Sequence, residues 1–188
     1  LLTTTLSMKA LLEQKGFTSK IVEWTRGVDS EQLNGLTRVP NNSVLFVGRV
    51  SREKNLEALL CYENKYNIII VGDGPDRKNL EEKYKNVQFV GYKMGKELFQ
   101  YYLNASVFCF PSRTDTFGIV LVEAMTAGTP IAAFPVTGPI DIVEHEVTGF
   151  LDEDLEKAID KCFTLSRVHT KTWSWKECWD IFRDNLYE

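Results

Sequence analysis

The sequence predicts an α/β fold, an open parallel sheet with helices on both faces. Two observations carry this reading. From Val44 onward, continuous apolar runs recur at residues 44–47, 67–71, 87–90, 106–110 and 130–134, with a short sixth at 149–151. Unbroken rather than alternating runs suit strands that are buried on both faces, as in parallel sheets. Between the runs lie amphipathic stretches, and regular strand–helix alternation marks a doubly wound sheet whose ligands bind beyond the carboxyl ends of the strands.

Taken in order, residues 1–5 read as a strand, 7–15 as a helix with Met8, Leu11 and Leu12 on one face, and 35–43 as a polar connection. The helices between the core strands are expected at about 55–63, 76–84, 95–104, 117–127, 139–145 and 152–165. In the fourth of these, Val120, Leu121, Ala124 and Met125 have the spacing of one buried face. Near the end, Trp175, Trp179, Phe182 and Leu186 fall at i, i+4, i+7 and i+11, a single helical stripe. The chain thus divides into 1–43, set apart in its pattern, 44–165, a Rossmann-like domain, and 166–188, an amphipathic helix.

With 188 residues the chain is one ordinary domain or one domain with an appendage. A net charge of -4 lacks the basic footprint that counterion release requires, so a nucleic-acid partner is disfavoured. No run approaches the roughly 18 apolar residues of a membrane span. Cys61, Cys109, Cys162 and Cys178 are scattered, and the only histidines are His145 and His169, so no metal site is expected and the thiols read as reduced, mostly buried and cytoplasmic. The chain begins at Leu1 with no leader pattern behind it, as expected of a segment cut from something longer.

The chemistry sits at the strand ends. Gly48-Arg49 follows the first core strand and Lys54 comes five residues later, before the next expected helix; two cations near a helix amino terminus suit a diphosphate. Gly72-Asp73-Gly74-Pro75 ends the second strand and Gly91 the third, but Arg77 stands where a dinucleotide fingerprint needs glycine, and the Gly91–Glu97 stretch is one residue short of a P-loop. Glycines there still allow close backbone approach to a ligand. The stretch from Pro111 to Met125 runs from a strand end through Asp115 and Gly118 into a helix bearing Glu123. Helix-start amides can donate to phosphate, and two carboxylates on one pocket suit a polyhydroxylated ligand. The plainer reading makes Asp115 a helix cap and Glu123 half of a salt bridge. Asp152-Glu153-Asp154 formally matches Asp-x-Asp, although acids at a helix start are expected without a metal.

Gly48-Arg49-x4-Lys54, the Gly72-Asp-Gly-Pro turn, Phe89-Val-Gly91, Asp115-x7-Glu123 and Ala127-Gly-Thr-Pro130 occur in the order seen in family 4 glycosyltransferases. From about Thr25 to the end, the chain resembles the carboxy-terminal, donor-binding domain of such a GT-B enzyme. The resemblance implies a retaining, metal-independent transferase that moves a hexosyl group from a nucleotide-diphosphate sugar to an acceptor hydroxyl, with no cofactor. It makes residues 1–43 the remnant of the amino-terminal domain with the interdomain connection, and Arg49, Lys54 and Asp115 the catalytic residues, the two cations holding the diphosphate and neutralising the leaving group. Glu123 would bind the ribose, and amides of Phe117, Gly118, Ile119 and Val120 sugar and phosphate, with Gly48 and Gly72 close by. Asp115 stands where the family has Glu, one methylene longer, and would reach the sugar; Val90, Tyr92 and Lys93 would select the base.

Thr114-Asp-Thr-Phe-Gly118, Pro135-Val-Thr-Gly-Pro139 and Trp24-Thr-Arg-Gly-Val-Asp29 are similar to members that act on lipid acceptors, which would place the protein in the cytoplasm at a membrane surface. The remaining partner would be an amino-terminal acceptor domain, in cis or in trans. Without that domain, the aromatic stripe either packs wholly on this domain's own core or loses part of its cover and supports a weak homodimer. Alternatives on the same architecture are a non-catalytic nucleotide-sugar binder, the donor subunit of a split transferase, and a nucleotide-sugar epimerase.

Overall fold

The six apolar runs form one six-stranded, wholly parallel sheet in the computed structural model, which describes residues 1–167 and 174–185. Ahead of it, β1 (Leu2–Thr3) and β2 (Val22–Glu23) form a separate parallel pair joined through α1 (Leu6–Gln14). The main sheet then comprises β3 (Ser43–Val47), β4 (Asn67–Val71), β5 (Gln88–Gly91), β6 (Val107–Phe110), β7 (Ile131–Ala133) and β8 (Gly149–Leu151). The intervening helices are α2 (Glu57–Leu60), α3 (Arg77–Lys83), α4 (Gly95–Asn104), α5 (Ile119–Thr126), α6 (Pro139–Ile142) and α7 (Leu155–Cys162), and α8 (Trp175–Asp184) ends the described chain.

Strand alternation divides the core. Leu45, Val47, Ile69, Val71, Phe108 and Phe110 face the layer of α4, α5 and α6, while Val44, Phe46, Ile68, Ile70, Val107 and Cys109 face α2 and α7. Both faces are covered, which is why the runs read as unbroken. Each fully buried Leu or Phe contributes about 1.5–3 kcal/mol, so neither layer can be removed without losing the sheet.

The strand order is β5-β4-β3-β6-β7-β8. The chain therefore builds outward from β3, then returns to its other side, and the direction reverses between β3 and β6. That reversal leaves a crevice at the carboxyl ends, where open α/β sheets bind ligands.

Several expected elements differ. The helix expected at 55–63 is a 3₁₀ turn, Arg52–Lys54, then Asn55 in the left-handed region at φ 52°, then only the four residues of α2. Phe117 and Gly118 precede α5, and Val122 rather than Val120 completes its buried face. Residues 143–145 and 152–154 fall outside α6 and α7; Asp154 caps α7, accepting from the Lys157 amide. On α8 the buried residue is Cys178, Trp179 stands exposed, and Leu186 lies outside the described residues. Of the cysteines, Cys61 is exposed and the other three are buried; all four are free.

Candidate functional site

The strand-end glycines continue the ladder past the strands. Gly48 N–H donates to the Val71 carbonyl at 3.0 Å and Gly72 N–H to the Gly91 carbonyl at 2.8 Å. A Cβ on Gly72 would lie 1.9 Å from the Gly48 oxygen, so no other residue fits there without parting the two strand ends. Over this floor opens a cavity of about 700 Å³, bounded by Gly48, Arg49 and Gly72 on one side, Ile119, Val120 and Glu123 on another, and Tyr92 at a third.

Glu123 is the most telling group. Its carboxylate is largely buried, and burial raises its pKa above the ordinary carboxylate range, while a hydrogen bond from the fully buried Tyr102 hydroxyl to Oε2, 2.7 Å long, acts in the opposite sense. Among the described residues it forms no ion pair, so the salt-bridge reading gives way to a desolvated carboxylate facing an open cavity. A desolvated carboxylate at the wall of a cleft is a candidate functional group.

Beside it, α5 starts without a side-chain cap, at Gly118 with φ +77°. Asp115 is therefore not its cap. The first amides of a helix lack the usual i−4 acceptor; Leu121 N–H turns to the Gly118 carbonyl at 2.9 Å, and Ile119 and Val120 line the cavity. Asp115 instead pairs with Lys54, Nζ to Oδ1 at 2.6 Å, and its Oδ2 is buried without a partner among the described residues. Asn55 Nδ2 donates to the Pro111 carbonyl at 3.1 Å, fastening the Lys54 turn to the segment that leads to Asp115.

Arg49 is exposed on the cavity wall and makes no hydrogen bond or ion pair among the described residues. Glu53 records how close both cations lie: its pKa is lowered chiefly by the Ser51 hydroxyl, with smaller contributions from Arg49 and Lys54. The expected helix terminus next to Lys54 is absent, because α2 is one turn and begins three residues later; the uncapped terminus at the crevice belongs to α5.

Not every expected residue borders the cavity. Val90 is in β5, packed against the core, and Phe117 is a core residue beneath the loop. Lys54, Asp115 and Gly118 stand just outside the lining. Lys93 does line it, with its ammonium 2.5 Å from Glu97. The acids of Asp152-Glu153-Asp154 are spent on Lys157, on Arg113 and on capping α7. His145 accepts from the Leu151 amide, far from the cavity lining, and His169 lies outside the described residues.

Residue-by-residue reading missed one wall. Val28, Asp29 and Gln32 border the cavity from the connecting segment, and Trp175 closes that side. A Cβ on Gly27 would sit 2.4 Å from the Trp175 nitrogen, so this glycine lets α8 dock on the segment. Asp29 caps a 3₁₀ turn, accepting from Glu31 N–H and from Gln32 Nε2. The signal was present as Gly27-Val28-Asp29, a glycine followed by a capping acid.

The family model described as glycosyl transferases group 1 matches residues 31–166. The chain belongs to that family. This group 1 glycosyl transferase chain is 32% identical over 199 residues to the sulfoquinovosyl transferase SQD2 of Arabidopsis thaliana, over 87% of this chain and 39% of that protein. It is 34% identical over 144 residues to a GDP-mannose-dependent alpha-mannosyltransferase of Corynebacterium glutamicum, over 70% of this chain and 35% of that one. Among solved structures it is similar to the pneumococcal O-GlcNAc transferase GtfA in complex with UDP and GlcNAc, with a TM-score of 0.82 at 19% identity over 99% of this chain and 44% of that one. It is also similar to the lipopolysaccharide outer core galactosyltransferase WaaB, with a TM-score of 0.80 at 16% identity over 99% of this chain and 61% of that one. These structures share its fold. The group 1 chain spans well under half the length of the two curated relatives.

Proposed function

We propose that this chain is the donor-binding domain of a family 4, GT-B, retaining hexosyltransferase, which holds a nucleotide-diphosphate sugar for transfer to an acceptor hydroxyl on a lipid or glycolipid. The observation that carries the reading is Glu123: a desolvated carboxylate without an ion pair among the described residues, facing a cavity floored by strand-end glycines and walled by the start of α5. A cis-diol can donate both its hydroxyls to such a group. The glycine backbone at Gly48 and Gly72 permits a diphosphate to approach closely, and the α5 amides with Arg49 supply positive potential to it. Lys54 exchanges Asp115 for the diphosphate when the donor binds, which frees Asp115 for a sugar hydroxyl. Tyr92 and Lys93 border the base.

Catalysis is then mainly electrostatic. Arg49 and Lys54 stabilise charge developing on the departing diphosphate, which lets the reaction proceed without metal or cofactor, while the carboxylates fix the sugar. The acceptor domain is supplied in cis or in trans, at the cytoplasmic face of a membrane.

Isothermal titration against a panel of UDP-, GDP- and ADP-sugars, followed by assays of hydrolysis and transfer, tests this. Binding with slow hydrolysis is expected; binding without turnover points to a donor subunit that requires its partner. Interconversion of sugar epimers points to an epimerase, and failure to bind any member of the panel overturns the reading.

A further inference from the structure

Tyr102 stands outside every motif that marks the site, yet it is held in the core and bonded to a residue of that site. Its ring is completely buried, packed on Phe108 at 5.5 Å and on Phe99 at 6.0 Å between centroids. Its backbone carbonyl accepts from the buried Thr129 hydroxyl at 2.6 Å and from Arg167 at 3.3 Å. Arg167 also donates to the Ala127 and Ala105 carbonyls, so one half-buried guanidinium gathers the carboxyl ends of α4 and α5. Burial lowers the Arg167 pKa to about 10, which still leaves it charged at neutral pH.

In so apolar a setting a phenol hydroxyl is costly, because phenylalanine would fill the same space without a polar atom to desolvate. The hydroxyl is bonded to Glu123 Oε2. A carboxylate has about four acceptor positions, so one bond from the core leaves the others to the cavity. We infer that Tyr102 is a positioning residue of the donor site, whose hydroxyl fixes the Glu123 carboxylate in the rotamer that meets the ribose hydroxyls of a nucleotide sugar. This inference rests on the donor-site reading. Tyr102 never touches the donor; it acts through Glu123.

The same bond bears on charge. Burial disfavours the Glu123 carboxylate and the Tyr102 hydroxyl favours it, so loss of the hydroxyl raises the pH at which Glu123 ionises. The other ionisable groups around Glu123 are Arg49, Asp73, Asp29 and the Lys93–Glu97 pair, together with Tyr92, all on the cavity wall apart from Glu97. From α6, Asp141 is engaged by Ser7 instead.

The test is titration of UDP, GDP, ADP and their 2′-deoxy analogues into wild-type protein and the Y102F, E123Q and F108L variants, from acid to neutral pH, with Tm measured on each. For Y102F an affinity loss of about tenfold is expected, the scale of one hydrogen bond to a charged group, smaller for the 2′-deoxy nucleotides. Its pH midpoint moves upward, and E123Q has a flat profile. F108L, which disturbs the same core, lowers Tm and leaves the midpoint in place. Wild-type binding with an unchanged affinity and midpoint in Y102F overturns the inference alone, as does an equal midpoint shift in F108L. If wild-type protein binds none of these nucleotides, the donor-site reading falls and the inference falls with it.

Discussion

Glu123 and the two cations are chemically unlike, although all three were assigned to one ligand. Glu123 has a raised folded pKa, so its contribution to stability is present below the ordinary carboxylate range and lost as pH rises through the folded value. At neutral pH the ionised group therefore weighs against the fold. Glu123→Gln is expected to keep or raise Tm near neutral pH while weakening donor binding by about 1.5–3 kcal/mol; a fall in Tm with unchanged affinity would return Glu123 to a structural role. Arg49→Ala should leave Tm unchanged, because the guanidinium has no partner among the described residues, and should cost affinity for diphosphates but little for the nucleoside. Lys54→Ala should also lose diphosphate affinity, and in addition lose about 0.2–1 kcal/mol of stability, because it strips Asp115 of its partner. Equal losses for nucleoside and diphosphate in both variants would remove the phosphate assignment.

Among the elements, the crevice depends on two close approaches of backbone. At the ends of β3 and β4 the Gly48 oxygen occupies the space a Gly72 side chain would need. Gly72→Ala must push these strand ends apart, and overpacking of this kind costs about 1–3 kcal/mol, more when the obstacle is backbone. A marked Tm loss, together with loss of nucleotide binding, is the expected outcome of calorimetry and titration; an alanine variant with wild-type Tm would mean that the ladder ends part freely. The start of α5 is the second point. Gly118 turns the chain with positive φ, and an added Cβ would stand 3.0 Å from Phe110 Cζ, so a side chain there strains the turn that starts α5 beside the cavity.

For the whole molecule the question is what α8 does. Its inner side docks on the connecting segment: Trp24 Nε1 donates to the Cys178 carbonyl at 2.8 Å, and the Trp24 and Phe182 rings meet at 5.3 Å. Trp175 turns to the cavity, and Trp179 is left 62% exposed. The expected stripe is thus split among three surroundings. If Trp179 drives weak self-association, sedimentation shows a concentration-dependent dimer that Trp179→Lys abolishes with Tm unchanged. A single monomeric species at every concentration would leave the local docking of α8 as its whole role. No described helix is long and apolar enough to cross a membrane.

The sequence by itself determined the sheet, its parallel sense and the order of strands and helices, because unbroken apolar runs need cover on both faces and only alternating helices provide it. It also marked Gly48, Arg49 and Gly72, since strand ends are where such sheets present chemistry, whereas Glu123, inside α5, was singled out by the resemblance in motif order. What only the tertiary structure decided is how those residues pair. Lys54 with Asp115 and Tyr102 with Glu123 join residues 61 and 21 positions apart, and no local period connects them. The shortened α2 was equally hidden, because an amphipathic pattern measures which residues are apolar and not whether Asn55 turns the chain left-handed within it. The wall of Val28, Asp29 and Gln32 reaches the cavity only because the connecting segment folds back over the sheet, and packing across such a sequence distance is settled by the whole fold.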